Sequence, residues 1–207
     1  MEKISEFDHK AAGWDSNPMH IERSKAVAFH IEKHISLNRD MKVLEYGAGT
    51  GSTSIFLSER VKDIVMMDSS PEMVRMMNEK IEKSGLTNLK ALQFDLEKDN
   101  YDGRFDLIFT QMVLHHVKDA GSVLARFAAM LSPCGHIAIA DLYPEDGSFH
   151  GAGFNGHNGF DPGELAETLR KLGFMNVFHN TCFTIQKDIP GKCIHDYDIF
   201  LLTARLG

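Results

Sequence analysis

Val43-Leu44-Glu45-Tyr46-Gly47-Ala48-Gly49-Thr50-Gly51 is the stretch on which the reading of this chain turns. A short apolar run from Met41 to Tyr46 carries an acid near its end and then breaks into three glycines at alternate positions. Residues Ser52 to Ser58 can open a helix directly after them. A strand turning tightly into a helix lets bare backbone approach a ligand, because glycine has no Cβ in the way. A dinucleotide fingerprint G-x-G-x-x-G would need glycine at position 52, where this chain has serine. Glu45 beside the turn also suits a cationic ligand better than a pyrophosphate.

The bulk properties are those of a globular chain. Its 207 residues suggest one compact domain with a sizeable core, and 43% hydrophobic with 25% charged residues is ordinary. A net charge of −7 without a basic block argues against nucleic acid as a partner. No apolar stretch is long enough to span a membrane, and the N-terminus lacks an apolar signal core, so a cytoplasmic location is expected. Cys134, Cys182 and Cys193 lie far apart and read as reduced thiols. The histidines show no H-E-x-x-H or similar ligand spacing, so no metal is expected. Oligomeric state is not readable.

Working outward, short apolar strands alternate with helical patterns, the mark of a parallel sheet in an α/β domain. Strands are expected at 41–46, 64–68, 91–94, 105–110 and 137–140, the last bounded by Pro133 and Gly135. A helix starts at Ser70-Pro71-Glu72, with serine as cap and proline at the first helical position, and Gly85 stops it. Another is expected over Val123–Leu131, and Asp161 caps a third. The stretch from Pro144 to Phe160 holds five glycines and reads as a mobile loop. Two β-rich segments, 177–186 and 197–205, are joined by a short Pro190-Gly191 loop and must therefore pair antiparallel. Residues 1–40 form a helical preface, with Ile21, Lys25, Ala28 and Phe29 at helical spacing, and 41–207 the ligand-binding domain.

Acids recur at strand ends. In an open parallel sheet, ligands bind outside the carboxyl ends of the strands. Asp68, at the tip of the second strand, can accept both hydroxyls of a ribose. Asp95, at the third, can meet an adenine amino group. Glu45, Asp68 and Asp95 together with a G-x-G-x-G turn make a coherent nucleoside site.

These segments resemble the class I S-adenosylmethionine (SAM)-dependent methyltransferases. The resemblance is carried by VLEYGAGTG (43–51), VMMDSSPEMV (65–74), LQFDLE (92–97), FDLIFTQMVLHHV (105–117) and LSPCGHIAIADLY (131–143). It is nearest to the branch that includes ubiquinone and menaquinone C-methyltransferases and many small-molecule methyltransferases. It implies a Rossmann-like, mostly parallel seven-stranded sheet with a C-terminal antiparallel hairpin and helices on both faces. It further implies that Glu45, Gly47, Ala48, Gly49 and Gly51 face the methionine moiety of SAM. Asp68 would hold the ribose with Ser69 and Met73 flanking the adenosine, Asp95 and Leu96 would bracket the adenine, and Gln111 would lie beside the sulfonium. Position 45 is more often aspartate in the family; glutamate keeps the charge. An aromatic-Asp pair often folds over the cofactor near the N-terminus, a place Trp14 fills here.

His115 and His116 follow the fourth strand, where an acceptor would meet the methyl group, and an imidazole there could take a proton at neutral pH. His157 in the glycine-rich stretch is the third candidate base or positioner, among phenylalanines suited to closing over a flat substrate. The function expected is methyl transfer from SAM to a small molecule, with carbon or oxygen as acceptor atom. The rivals are a SAM-binding module without turnover and, further off, an NAD(P)-dependent oxidoreductase.

Overall fold

The computed structural model describes residues 6–189 and 194–207. The Pro190-Gly191 loop and Cys193 lie outside the described residues. Seven strands form one sheet in the order β3-β2-β1-β4-β5-β7-β6. They are β1 (Lys42–Tyr46), β2 (Asp63–Asp68), β3 (Leu89–Gln93), β4 (Phe105–Gln111), β5 (Leu131–Leu142), β6 (Phe174–Asp188) and β7 (Ile194–Leu206). The first five are parallel, and β7 pairs antiparallel with both β5 and β6. The chain runs β1 to β3 outward on one side of β1, then returns to build β4 on the other. That reversal opens a crevice between the tips of β1 and β4, where open α/β sheets bind ligands.

The helices are α1 (Glu6–Lys10), α2 (Pro18–His34), α3 (Ser52–Leu57), α4 (Pro71–Ser84), α5 (Ala120–Met130) and α6 (Pro162–Lys171). Their ends follow local chemistry. Ser70, Asp119 and Asp161 each accept a backbone N–H as N-caps, and Gly85 closes α4 in the left-handed region at φ +67°. The central strands are buried on both faces, with Leu44, Leu107, Ile108, Phe109 and Ala138 wholly enclosed. None of the described helices is long and apolar enough to cross a membrane.

The structure shows which face of α2 is buried and corrects one strand boundary. In α2 the buried positions are Arg23, Ser24, Val27, Ala28 and Ile31, whereas Phe29 is 62% exposed and Lys25 points outward. Helical spacing leaves two neighbouring faces open, and packing of α2 on α3 and β6 decides which is buried, Ala28 included. The fifth strand does not begin after Gly135 but at Leu131, straight out of α5. Between pairs Phe105↔Leu131 and Leu107↔His136 the ladder slips, so Pro133 and Cys134 (φ +63°) sit in a bulge inside the strand.

Candidate active site

At the carboxyl ends of β1 and β4 lies a cavity of about 750 Å³. One wall comes from the glycine turn. Gly47, Gly49 and Gly51 have φ of +68°, +57° and +75°, the region that L side chains rarely adopt. Ala48 N–H donates to Met67 O and Gly51 N–H to Ala48 O, which curls the turn tightly before α3. The amide of Gly49 donates to Asp68 Oδ2 at 2.8 Å, and that of Ser70 to Asp68 Oδ1 at 2.9 Å. Asp68 therefore braces the turn while lining the cavity. Burial pushes its carboxyl up to about 6 against those two amide hydrogen bonds.

A small extension of about 40 Å³ runs beneath the turn, between Arg23, Glu45, Thr53 and Gln111. Glu45 is buried and accepts from Ser54 Oγ, and burial pushes its carboxyl up to about 8. Arg23, on α2, is buried with no hydrogen-bond partner for Nε. Desolvation brings its guanidinium down to about 10, with Asp141 opposing. Gln111 accepts from Thr53 Oγ1 at 3.1 Å and donates to Ser24 Oγ at 3.3 Å. A buried carboxyl and a buried guanidinium whose Nε has no hydrogen-bond partner line the same small space, which can receive a zwitterion. The ammonium of an amino-acid tail matches Glu45 and its carboxylate matches Arg23.

Ser69, Met73 and Asp95 continue the wall toward the tips of β2 and β3. Asp95 also accepts from Glu97 N–H at 2.9 Å and pairs with Lys98 at 2.9 Å. Leu96 is fully buried beneath this edge, outside the cavity lining. Over the turn lies the N-terminal segment. Trp14 lines the cavity and stands over Gly49, where an added Cβ would come within 3.9 Å of its Nε1. Asp15 fastens this segment, accepting from Thr50 Oγ1 at 2.7 Å and pairing with Lys80 at 2.6 Å. Asp8 accepts from Ser70 Oγ.

The opposite wall is histidine and aromatic. Past β4, Met112 takes a left-handed φ of +57° and leads into a tight turn over Leu114–His116. His115 is 1% exposed and its Nδ1 lies 2.6 Å from the fully buried Asp141 Oδ1. His116 is half-buried and meets Phe7 edge-on at 5.0 Å. Burial and the neighbouring imidazoles push it down to about 3, so it is neutral at ordinary pH. The glycine-rich stretch folds inward here: His157 N–H donates to His115 O at 2.8 Å and Phe160 N–H to Leu142 O at 2.8 Å. Gly156 lets this happen, since a Cβ there would stand 2.1 Å from His115 O. His150 and Phe149 thereby reach the cavity. The ring of His157 does not line it; its Nε2 lies 3.0 Å from Val117 O.

The structure thus gathers Trp14, Glu45, Gly47, Ala48, Gly49, Asp68, Ser69, Met73, Asp95, Gln111, His115 and His116 around this cavity and its extension. Gly51 shapes the turn from behind. Arg23 and His150 at the cavities and Asp141 behind His115 are beyond the reach of sequence reasoning. A mid-helix arginine and a strand-end acid carry no spacing signal, and His150 depends on how the loop folds.

Residues 11–179 match a family model described as a methyltransferase domain. The chain belongs to the class I SAM-dependent methyltransferases. Its 154 best-matched residues are 30% identical to an uncharacterized methyltransferase of Schizosaccharomyces pombe, covering 66% of this chain and 54% of that protein. The ubiquinone/menaquinone biosynthesis C-methyltransferase of Idiomarina loihiensis is 29% identical over 111 residues, 51% of this chain and 44% of its own length. The chain spans about half the length of these curated relatives. A crystal structure of a SAM-dependent methyltransferase from Aquifex aeolicus superposes with a TM-score of 0.71 at 20% identity, covering 99% of this chain and 100% of that one. That likeness establishes the fold. As a member of this family the chain has SAM as its donor, and the glycine turn, the zwitterion pocket and the strand-end acids fit that molecule. The NAD(P) alternative falls with the family assignment.

Proposed function

We propose that this methyltransferase transfers the methyl group of SAM to a small-molecule acceptor, at carbon or oxygen, held against the His115–His116 wall. The observation that carries this is the shape of the cavity. The zwitterion pocket and the cavity that carries the aromatic-histidine wall adjoin at the β1–β4 crevice, sharing Trp14, Arg23, Gly47, Gly49 and Gln111 in their linings. When bound, SAM supplies an electrophilic methyl carbon on a positively charged sulfonium. The chain then has to hold donor and acceptor in line and keep water out. Such orientation is worth up to roughly 7–11 kcal/mol in ideal cases.

Each part of the site serves that task. Glu45 and Arg23 fix the amino-acid tail, Asp68 receives the ribose hydroxyls, and Asp95 stands where the adenine ends. Gln111 borders both the tail pocket and the acceptor side. Trp14 and the Asp15–Thr50–Lys80 clasp cover the donor. His115, held through Nδ1 by Asp141, and His116 stand on the acceptor side, as base or positioner. His157 serves the site indirectly, as an anchor of the loop that brings His150 and Phe149 to it.

The test is calorimetry with SAM, S-adenosylhomocysteine and NADH, followed by release of S-adenosylhomocysteine against phenols, quinones and amines. Binding of the first two with turnover on one acceptor class is the expected result. Tight SAM binding without turnover across the panel would leave a binding module instead. Binding of NADH alone would overturn the reading.

A further inference from the structure

His115, His116 and His150 meet at the acceptor end of the cavity from two separate parts of the chain. One nitrogen from each lies within 4.8 Å of the other two, and the ring centroids are 4.2, 5.1 and 5.0 Å apart. Ligands of a tetrahedral ion with metal–nitrogen bonds of about 2.05 Å stand about 3.3 Å apart. Modest side-chain rotation closes the difference. We propose that these three histidines form a divalent metal site of the zinc class, with its fourth position opening onto the acceptor side of the cavity.

Four features support it independently of any titration. First, the hydrogen bond from His115 Nδ1 to Asp141 leaves Nε2 as the ligand atom. A buried carboxylate behind a histidine is how proteins orient metal ligands. Asp141 is itself fixed, accepting from His115 N–H at 3.3 Å and Leu142 N–H at 2.8 Å. Second, the donor set is three imidazoles without a thiolate. That set selects zinc, cobalt, nickel or copper over magnesium, calcium or manganese, which prefer oxygen. Third, the scaffold is built to hold it: left-handed Met112 on one side, and on the other a loop whose Gly156 allows the His157–His115 backbone bond. His150 stacks on Phe154 with ring centroids 3.8 Å apart. Fourth, all three histidines line the cavity, so a metal held there keeps an open coordination position, as catalytic rather than structural zinc sites do.

With its fourth position open to the cavity, such a metal would take an anionic ligand there. This points to an acceptor with a hydroxyl that binds as its anion. Its role in methyl transfer rests on the function proposed above; the site itself does not. The acceptor's proton leaves to water as the oxygen binds. Its lone pair then forms the bond to the methyl carbon, the carbon–sulfur bond of the donor breaks, and that pair returns to the donor sulfur. The metal changes no oxidation state.

The test uses tag-free, chelator-stripped full-length protein titrated with cobalt(II) chloride and then zinc chloride. Visible absorption of tetrahedral cobalt should saturate at one equivalent and be displaced by zinc. His116→Ala and His150→Ala should each abolish the bands, and Asp141→Asn should weaken metal binding about 10- to 100-fold. His179→Ala, at an exposed position of β6 outside the cavity lining, should keep the bands. Near-ultraviolet circular dichroism identifies variants that fail to fold, and His150→Ala, on the loop, is the variant that decides if the others do. No saturable cobalt band in the folded wild type would overturn the site, as would bands surviving in His150→Ala. Calorimetry of S-adenosylhomocysteine on the same preparations keeps the outcomes apart: its binding reports the donor site, whatever the metal does.

Discussion

Glu45 offers a measurement that reads the donor pocket from a single proton. Its carboxyl is raised to about 8 by burial, so at pH 7 about nine in ten protein molecules carry it protonated. An ammonium bound against it favours the anion, and ionising Glu45 at pH 7 costs about 1.4 kcal/mol. Binding should then release nearly one proton at pH 7, and apparent affinity should rise about tenfold between pH 6 and 7. Asp68, at about 6, is already mostly ionised at pH 7 and adds little there. The assay is calorimetry of S-adenosylhomocysteine at pH 7 in phosphate and in Tris, whose ionisation enthalpies differ. Heats that agree in the two buffers would refute the assignment of Glu45 to the ammonium. Glu45→Gln should erase the buffer dependence and weaken binding by roughly 1.5–3 kcal/mol, the worth of a charged hydrogen bond.

The same proton governs stability. The native pKa of about 8 lies above the reference of 4.5, so the folded state holds the proton more tightly than the unfolded one. Its stabilisation is complete below about pH 4.5 and is lost as pH rises through 8. Ligand-free protein should therefore weaken in urea between pH 6 and 8.5, and ligand-bound protein much less.

Two further substitutions probe the walls. Gly47→Ala places a Cβ 2.2 Å from Val113 Cγ2 in a residue at φ +68°. Left-handed strain of roughly 1–2 kcal/mol and overpacking of roughly 1–3 kcal/mol should lower stability by about 2–5 kcal/mol, read by chemical denaturation. Pairing it with Val113→Ala should recover the overpacking part, and a fully stable single variant would refute the clash. Arg23→Met should leave the free protein as stable or more so, because it removes a buried guanidinium whose Nε has no partner. Affinity for S-adenosylhomocysteine should fall about 10- to 100-fold; unchanged affinity would move the donor carboxylate elsewhere.

What could be read from sequence was local. The glycine turn, the caps Ser70 and Asp161 and the acids Glu45, Asp68 and Asp95 declare themselves within a few residues, because turn and capping chemistry acts over that range. The terminal hairpin followed from a connection too short to cross over. What escaped depends on packing between distant segments. Arg23 sits in a helix whose spacing allowed two faces, and only contact with α3 and β6 chose between them. Asp141 looked like a strand boundary; its partner His115 comes from another strand end. His150 and His157 share one glycine-rich stretch, yet the first reaches the cavity and the second turns to Val117 O. The bulge at Pro133 and Cys134 was invisible because prolines and glycines usually end strands rather than ride inside them.

The sheet order has a consequence for chimaeras between relatives. Because the chain completes β1, β2 and β3 before crossing to β4, the groups assigned to the donor lie mainly between residues 45 and 96. The histidine and aromatic wall comes from residues 111–160 and the end of β6. The two duties are separate in primary sequence as well as in space, divided near the segment that links β3 to β4. Replacing the downstream portion would change the acceptor wall and, of the groups assigned to the donor, Gln111. The segment from Phe7 to Arg23 touches both walls, so it is where such a chimaera must be re-matched.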